Sequence, residues 1–228
     1  MVCNGLVGTG WWVSQHHVVT AGHVVGRAET CMVVKGSWSA QATVVAFEQP
    51  PRDLAVLQVQ GDPPPHPVFP VSDKLPEVGD PAYVIGFPAA VWQLLGTPQA
   101  VSTDPRVLSF EIPWVGSASG VDLIEIGWTQ PGNSGGPVVG EDGRVIGVVT
   151  MALSPSNTTQ IYLFYATAAT ELIPLLEDHN IPYTTTGGIP AKPSSQAPER
   201  VLGISAAGGA IAGAVAAAAV TFLLSRRR

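Results

Sequence analysis

The chain has little of what metal and nucleic-acid sites are built from. Its 228 residues include two cysteines, five histidines, and 11 Lys plus Arg against 17 Asp plus Glu, for a formal net charge of −6. No Cys/His cluster has metal-ligand spacing, so no metal is expected. There is no basic patch with interleaved aromatics, and with a negative net charge this argues against a nucleic-acid partner. No organic cofactor and no internal repeat are expected either. Up to about residue 180 the apolar runs are short, broken up by many of the 25 glycines and 21 prolines of the chain. That pattern favours many short strands with turns over helices.

One run stands out, Gln130-Pro131-Gly132-Asn133-Ser134-Gly135-Gly136-Pro137. A serine flanked by glycines, just ahead of Pro137-Val138-Val139, fits a nucleophile on a tight turn. Glycine takes φ > 0 and lets a substrate come close to the backbone. In that geometry the amides of Gly132, Asn133 and Ser134 can point into one concavity suited to an oxyanion. Taken alone, the run also fits a polar surface turn between strands. Upstream, His23 follows the β-branched run Val18-Val19-Thr20 and the corner Ala21-Gly22, while Asp53 heads the apolar run Leu54-Ala55-Val56-Leu57. Serine needs a base near neutral pH, a role suited to histidine. A buried carboxylate fixes the tautomer of that base. A lone His after a strand or a lone Asp before one is commonly structural; the three together, in the order His, Asp, Ser, point to nucleophilic catalysis.

With Gly8-Thr9-Gly10-Trp11-Trp12-Val13, Thr20-Ala21-Gly22-His23-Val24-Val25, Asp53-Leu54-Ala55-Val56-Leu57, Ser72–Asp80 with Tyr83–Pro88, and Gly132–Pro137, the chain resembles the chymotrypsin-like (trypsin-like) serine proteases. The match is closest to the HtrA/Deg-type branch and runs from about Gly8 to about Glu177. The resemblance implies an all-β fold of two six-stranded antiparallel β-barrels, about 1–60 and 71–180, with the active site between them. Residues 1–180 are enough for two such barrels. It implies the triad His23, Asp53 and Ser134, an oxyanion hole at Gly132, Asn133 and Ser134, and hydrolysis of protein or peptide substrates through an acyl-enzyme, in protein quality control or processing. Asn133 stands where digestive relatives carry an aspartate that pairs with a freed N-terminus; an amide has no charge for that pairing. Activation by N-terminal cleavage is therefore not expected, and substrate binding or self-association into a homo-oligomer remain as ways to order the loops. By the same resemblance Trp128 and Thr129 form one wall of the specificity pocket, and Thr150, Met151 and Ala152 the other. None is acidic, which argues against a preference for Lys or Arg and suggests an apolar, shallow pocket for a small or medium aliphatic residue. Trp128 as a core residue is the alternative. A PDZ domain is usual after the protease in this branch, whereas a linker and an apolar segment stand there in this chain. The competing reading from another class is a catalytically silent protease-fold binding or scaffold module at a membrane; decay normally removes a triad residue or an oxyanion glycine, and His23, Asp53, Ser134 and Gly132 are all present.

Strands are expected near 2–13, 16–20, 31–35, 40–47 and 54–59. The proline-rich 61–70 is a linker, and further strands are expected near 82–86, 106–112, 122–126, 137–139, 144–151 and 161–166. A short amphipathic helix is expected over 168–178, weakened by Pro174. Cys3 and Cys31 fall on strands of the first barrel; a disulfide between them and two buried thiols are both open. Residues 181–200 form a Pro/Ser/Thr-rich linker.

Residues 201–224 carry no charge, and Arg226, Arg227 and Arg228 follow in the tail 225–228. At ~1.5 Å per residue this length crosses a ~30 Å hydrocarbon core as a helix. A single membrane span is expected, with the basic tail cytoplasmic and the protease domain outside. Since Met1-Val2-Cys3-Asn4-Gly5 is no secretory signal, the translated start is expected to lie upstream; a tail-anchored protein facing the cytoplasm is the alternative. Ala and Gly leave the span only marginally favourable, and one central arginine costs ~2.5–3.5 kcal/mol on insertion scales. Ala214→Arg should therefore move much of the protein from the membrane to the soluble fraction on alkaline carbonate extraction; an unchanged partition would remove the span.

Overall fold

The computed structural model describes residues 1–89, 106–153 and 163–186. The expected span 201–224, the tail 225–228 and most of the linker 181–200 lie outside the described residues. Alternating apolar and polar residues build two antiparallel sheets. The first contains β1 (Val2–Cys3), β2 (Leu6–Val7), β3 (Trp11–Trp12), β4 (His17–Ala21), β5 (Thr30–Lys35), β6 (Trp38–Glu48) and β7 (Leu54–Val59), in the order β2-β1-β5-β6-β7-β4-β3. The second contains β8 (Pro81–Gly86), β9 (Arg106–Glu111), β10 (Val115–Ala118), β11 (Val121–Ile126), β12 (Pro137–Gly140), β13 (Val145–Leu153) and β14 (Leu163–Ala168), in the order β10-β11-β14-β13-β12-β8-β9. Helix α1 (Gly22–Val25) caps β4, and helix α2 (Ala169–Asp178) follows β14.

This is an all-β, double-barrel-like architecture, with seven strands in each described sheet where six were expected. Two local causes account for the difference. The strand expected over 2–13 is three two-residue pieces, because Asn4 (φ 47°) and Gly5 (φ 82°) turn the chain between β1 and β2. The unexpected β10 pairs with β11 across Ser119 (φ 54°) and Gly120 (φ 76°), with Ala118 opposite Val121. A two-residue hairpin turn with φ > 0 at both positions is a strong local signal, and Ser-Gly was there to be read. Cys3 on β1 and Cys31 on β5 are joined by a disulfide, with their Cα atoms 4.5 Å apart.

Each sheet has a core of its own, Val18, Val25, Ala42 and Leu57 in the first, Val84, Ile124, Ile126 and Val138 in the second. A third cluster joins them. Val19, Leu54 and Val56 of the first sheet meet Val139, Val145 and Val148 of the second, and α2 closes the cluster with Leu172, Leu175 and Leu176. Among the described residues no helix is long and apolar enough to cross a membrane.

Leu172 is fully buried in that shared core. Leu172→Ala should cost about 2–5 kcal/mol through lost burial and a residual cavity, whereas exposed Val78→Ala should stay within about 0.5 kcal/mol. Urea midpoints of the two variants would check this; equal midpoints would detach α2 from the core.

Candidate active site

Strand pairing brings His23 and Asp53 together. β4 runs antiparallel to β7, with Ala21 opposite Leu54, so the residue two past the end of β4 and the residue just before β7 share one end of the pair. The Gly22 amide donates to Asp53 O (2.8 Å). The His23 amide donates to Asp53 Oδ1 (2.6 Å), and His23 Nδ1 lies 2.6 Å from Asp53 Oδ2. Asp53 is 4% exposed, and an ionised carboxylate only accepts. Nδ1 therefore carries the proton, and Nε2 of the 43% exposed imidazole is left as an acceptor. Gly22 is required at the contact, because a Cβ there would stand 2.6 Å from Glu48 O and 3.0 Å from Asp53 Oδ1. Asp53 itself has φ 56°, a conformation that costs a non-glycine residue on the order of 1–3 kcal/mol and persists only where its surroundings enforce it.

The preceding residue supplies much of that enforcement. Arg52 O accepts from Thr167 Oγ1 (2.8 Å), which is itself 3.0 Å from Thr150 Oγ1. Arg52 Nε donates to Glu171 Oε2 (2.7 Å) and Nη1 to Glu48 Oε1 (3.2 Å), while Glu171 Oε1 receives the Asp122 amide (3.0 Å). The hydrogen bond to Glu171 is the main influence raising the Arg52 pKa above its usual value, so the guanidinium stays charged. The segment leading into Asp53 is thus fastened to β14 and α2 of the other sheet. Partners of Arg52 that lie 115 and 119 residues away leave no local sequence signal.

The Gly132–Gly136 loop can be accounted for amide by amide. Gly132 (φ 97°) and Gly135 (φ 82°) take left-handed conformations. The Asn133 amide donates to Gln130 O (3.0 Å), Gly135 to Val149 O (2.7 Å) and Gly136 to Asn133 O (2.8 Å). The Asn133 amide, expected to face an oxyanion, is used inside the loop in this structure. The amides of Gly132 and Ser134 have no acceptor among the described residues. Nor does any hydrogen bond among them join the Ser134 hydroxyl to His23. The Asn133 side chain turns inward, donating from Nδ2 to Thr129 Oγ1 (3.1 Å). A Cβ at Gly86 would overlap it.

The expected pocket residues divide. Trp128 is 51% exposed, so it is not a core residue. Met151 is half-buried and Ala152 exposed, opposite Tyr165 and Phe164 of β14. Thr129 and Thr150 are buried, and their hydroxyls are engaged by Asn133 and Thr167. Burial, and then Glu125, raises the Tyr165 hydroxyl pKa and keeps it neutral, and its ring meets Trp114 edge-on at 5.9 Å.

Residues 8–148 match the trypsin-like peptidase domain. The serine protease Rv3671c of Mycobacterium tuberculosis is 32% identical over 145 residues, which are 63% of this chain and 36% of that protein. A probable periplasmic serine endoprotease, DegP-like, of Chlamydia trachomatis is 34% identical over 156 residues, 66% of this chain and 29% of that protein. The chain thus spans about a third of the length of these relatives. Among solved structures, the inactive form of the Rv3671c protease superposes with a TM-score of 0.60 at 25% identity, covering 76% of this chain and 84% of that one. The active form gives 0.62 at 24% identity, covering 79% and 77%. The motifs, the paired antiparallel sheets and these likenesses agree: the chain belongs to the trypsin-like peptidase domain family, with HtrA-type serine proteases among its relatives.

Proposed function

We propose that the chain is a serine endopeptidase with His23, Asp53 and Ser134 as its triad. The observation that carries the reading is the grip of one histidine on one buried carboxylate, by backbone amide and ring nitrogen at once. It leaves Nε2 free to take the proton of Ser134 as Oγ attacks a peptide carbonyl. The amides of Gly132 and Ser134 receive the oxyanion of the tetrahedral intermediate. Its collapse expels the amine, protonated by His23, and leaves an acyl-enzyme that water, activated by the same imidazole, hydrolyses. The apolar Trp128 and Met151, with no acidic residue among the expected pocket residues, support cleavage after small or medium aliphatic residues. The domain works outside the cytoplasmic membrane, anchored by 201–224, in protein quality control or processing; the periplasmic naming of the chlamydial relative and the Cys3–Cys31 disulfide favour that side. Residues 1–180 form the protease domain, and 181–200 tether it. The second reading, a silent binding module, draws on the hydroxyl of Ser134, which has no bond to His23; catalytic hydrogen bonds of this kind commonly tighten only with substrate.

A fluorophosphonate probe should label the wild-type protein covalently and leave Ser134→Ala unlabelled; an unlabelled, folded wild type would favour the silent module. Asp53→Asn should fold but lose about 10⁴-fold in kcat, because the amide favours the wrong tautomer of His23. Near-normal turnover in that variant would remove Asp53 from the triad.

A further inference from the structure

Glycine-flanked peptides rotate easily, and the Gly132–Asn133 peptide lies between the two amides assigned to the oxyanion. Gly132 has no Cβ to resist rotation, so its orientation needs a hold from outside the loop. Thr9 provides one. Its hydroxyl donates to Gly132 O at 2.7 Å and accepts the Phe87 amide at 3.0 Å. Its own amide donates to Ser134 O (2.8 Å), and its carbonyl accepts from Thr20 Oγ1 (2.9 Å). Thr9 is 2% exposed, so water does not compete for these bonds.

The N–H and C=O of a trans peptide point in opposite directions. With Gly132 O held by Thr9, the Asn133 N–H faces the other way, where it meets Gln130 O. Both ends of this peptide are then fixed. The preceding peptide is held in the same manner, since Pro131 O accepts the Ala89 amide (2.8 Å); the Gly132 N–H therefore points away from the 87–89 segment. A single hydroxyl thus links the first sheet's leading segment, the exit of β8 and the oxyanion loop.

Building on the protease reading, we infer that Thr9 is a positioning residue for the oxyanion site, its hydroxyl holding the Gly132–Asn133 peptide so that the Gly132 and Ser134 amides stay available to the transition state. The hydroxyl does not touch substrate, and it acts on the electrophile's side of the site, leaving the His23–Asp53 pair unaffected.

The test is the rate of Ser134 labelling by a small fluorophosphonate, expressed per folded molecule. In this reaction a Ser134 Oγ–phosphorus bond forms, fluoride leaves, and His23 takes the hydroxyl proton. Loss of one direct oxyanion donor costs about 10²–10³-fold in a related setting; loss of a support for such donors should cost less, about 10–100-fold. Thr9→Val, which keeps the shape and removes the hydroxyl, should show that loss with an unchanged pH profile of labelling, because the base is intact. Thr9→Ser should stay within about threefold of wild type, because the hydroxyl and both of its hydrogen bonds are retained. Wild-type rates in Thr9→Val, or a shifted pH profile, would overturn the inference. If Thr9→Val does not fold, Thr9→Ala and Thr9→Ser are compared, since they differ by one oxygen. Equal rates in those two, or folding only with a hydroxyl present, would make Thr9 a purely structural residue. A wild type that is not labelled at all would instead refute the protease reading.

Discussion

Burial of the Asp53 carboxylate is the constraint on which the site depends. An ionised group removed from water is tolerated only with its lone pairs occupied, and here a single residue, His23, occupies them from two directions. The amide fixes where the carboxylate sits and the imidazole fixes its own ring against it. The tautomer of the imidazole and the position of its other nitrogen follow from one contact. The left-handed backbone of Asp53 shows that this placement is held against local preference.

That hold comes from the opposite sheet. Arg52 is fastened by its carbonyl to Thr167 and by its guanidinium to Glu171, so β14 and α2 restrain the carboxylate of the first sheet. In the other direction, Thr9, between β2 and β3, reaches the Gly132–Gly136 loop that leads into β12 of the second sheet. Each sheet therefore braces the part of the candidate site that the other carries. The apolar cluster shared by Val19, Val56, Val148 and Leu172 brings the two surfaces close enough for these bonds to form. Burial supplies the attraction between the sheets, and the polar bridges, each worth only about 0.5–1.5 kcal/mol net, fix the register.

Asn133 is anchored without a charge. Its side chain packs against Gly86 and bonds Thr129, which lets the loop turn inward without an ion pair. The amide of Asn133 closes the turn on Gln130, while those of Gly132 and Ser134 have no acceptor among the described residues.

The sequence by itself determined the fold class, the positions of most strands and α2 to within a residue, and it singled out His23, Asp53 and Ser134 as candidates. Alternating apolar positions, a Gly-Asn-Ser-Gly-Gly turn and residues at strand ends are local features, readable within a few neighbours. Even the missed β10 had a local sign in Ser119-Gly120. Tertiary structure alone decided which amides of the Gly132–Gly136 loop have no acceptor among the described residues, that the Thr129 and Thr150 hydroxyls are engaged by Asn133 and Thr167, that Trp128 is exposed, and that Cys3 meets Cys31. The partners concerned include bonds across 115, 119 and 123 residues. No local pattern encodes hydrogen bonds of that span; they exist only because two sheets, each specified by its own short-range pattern, bury a common core.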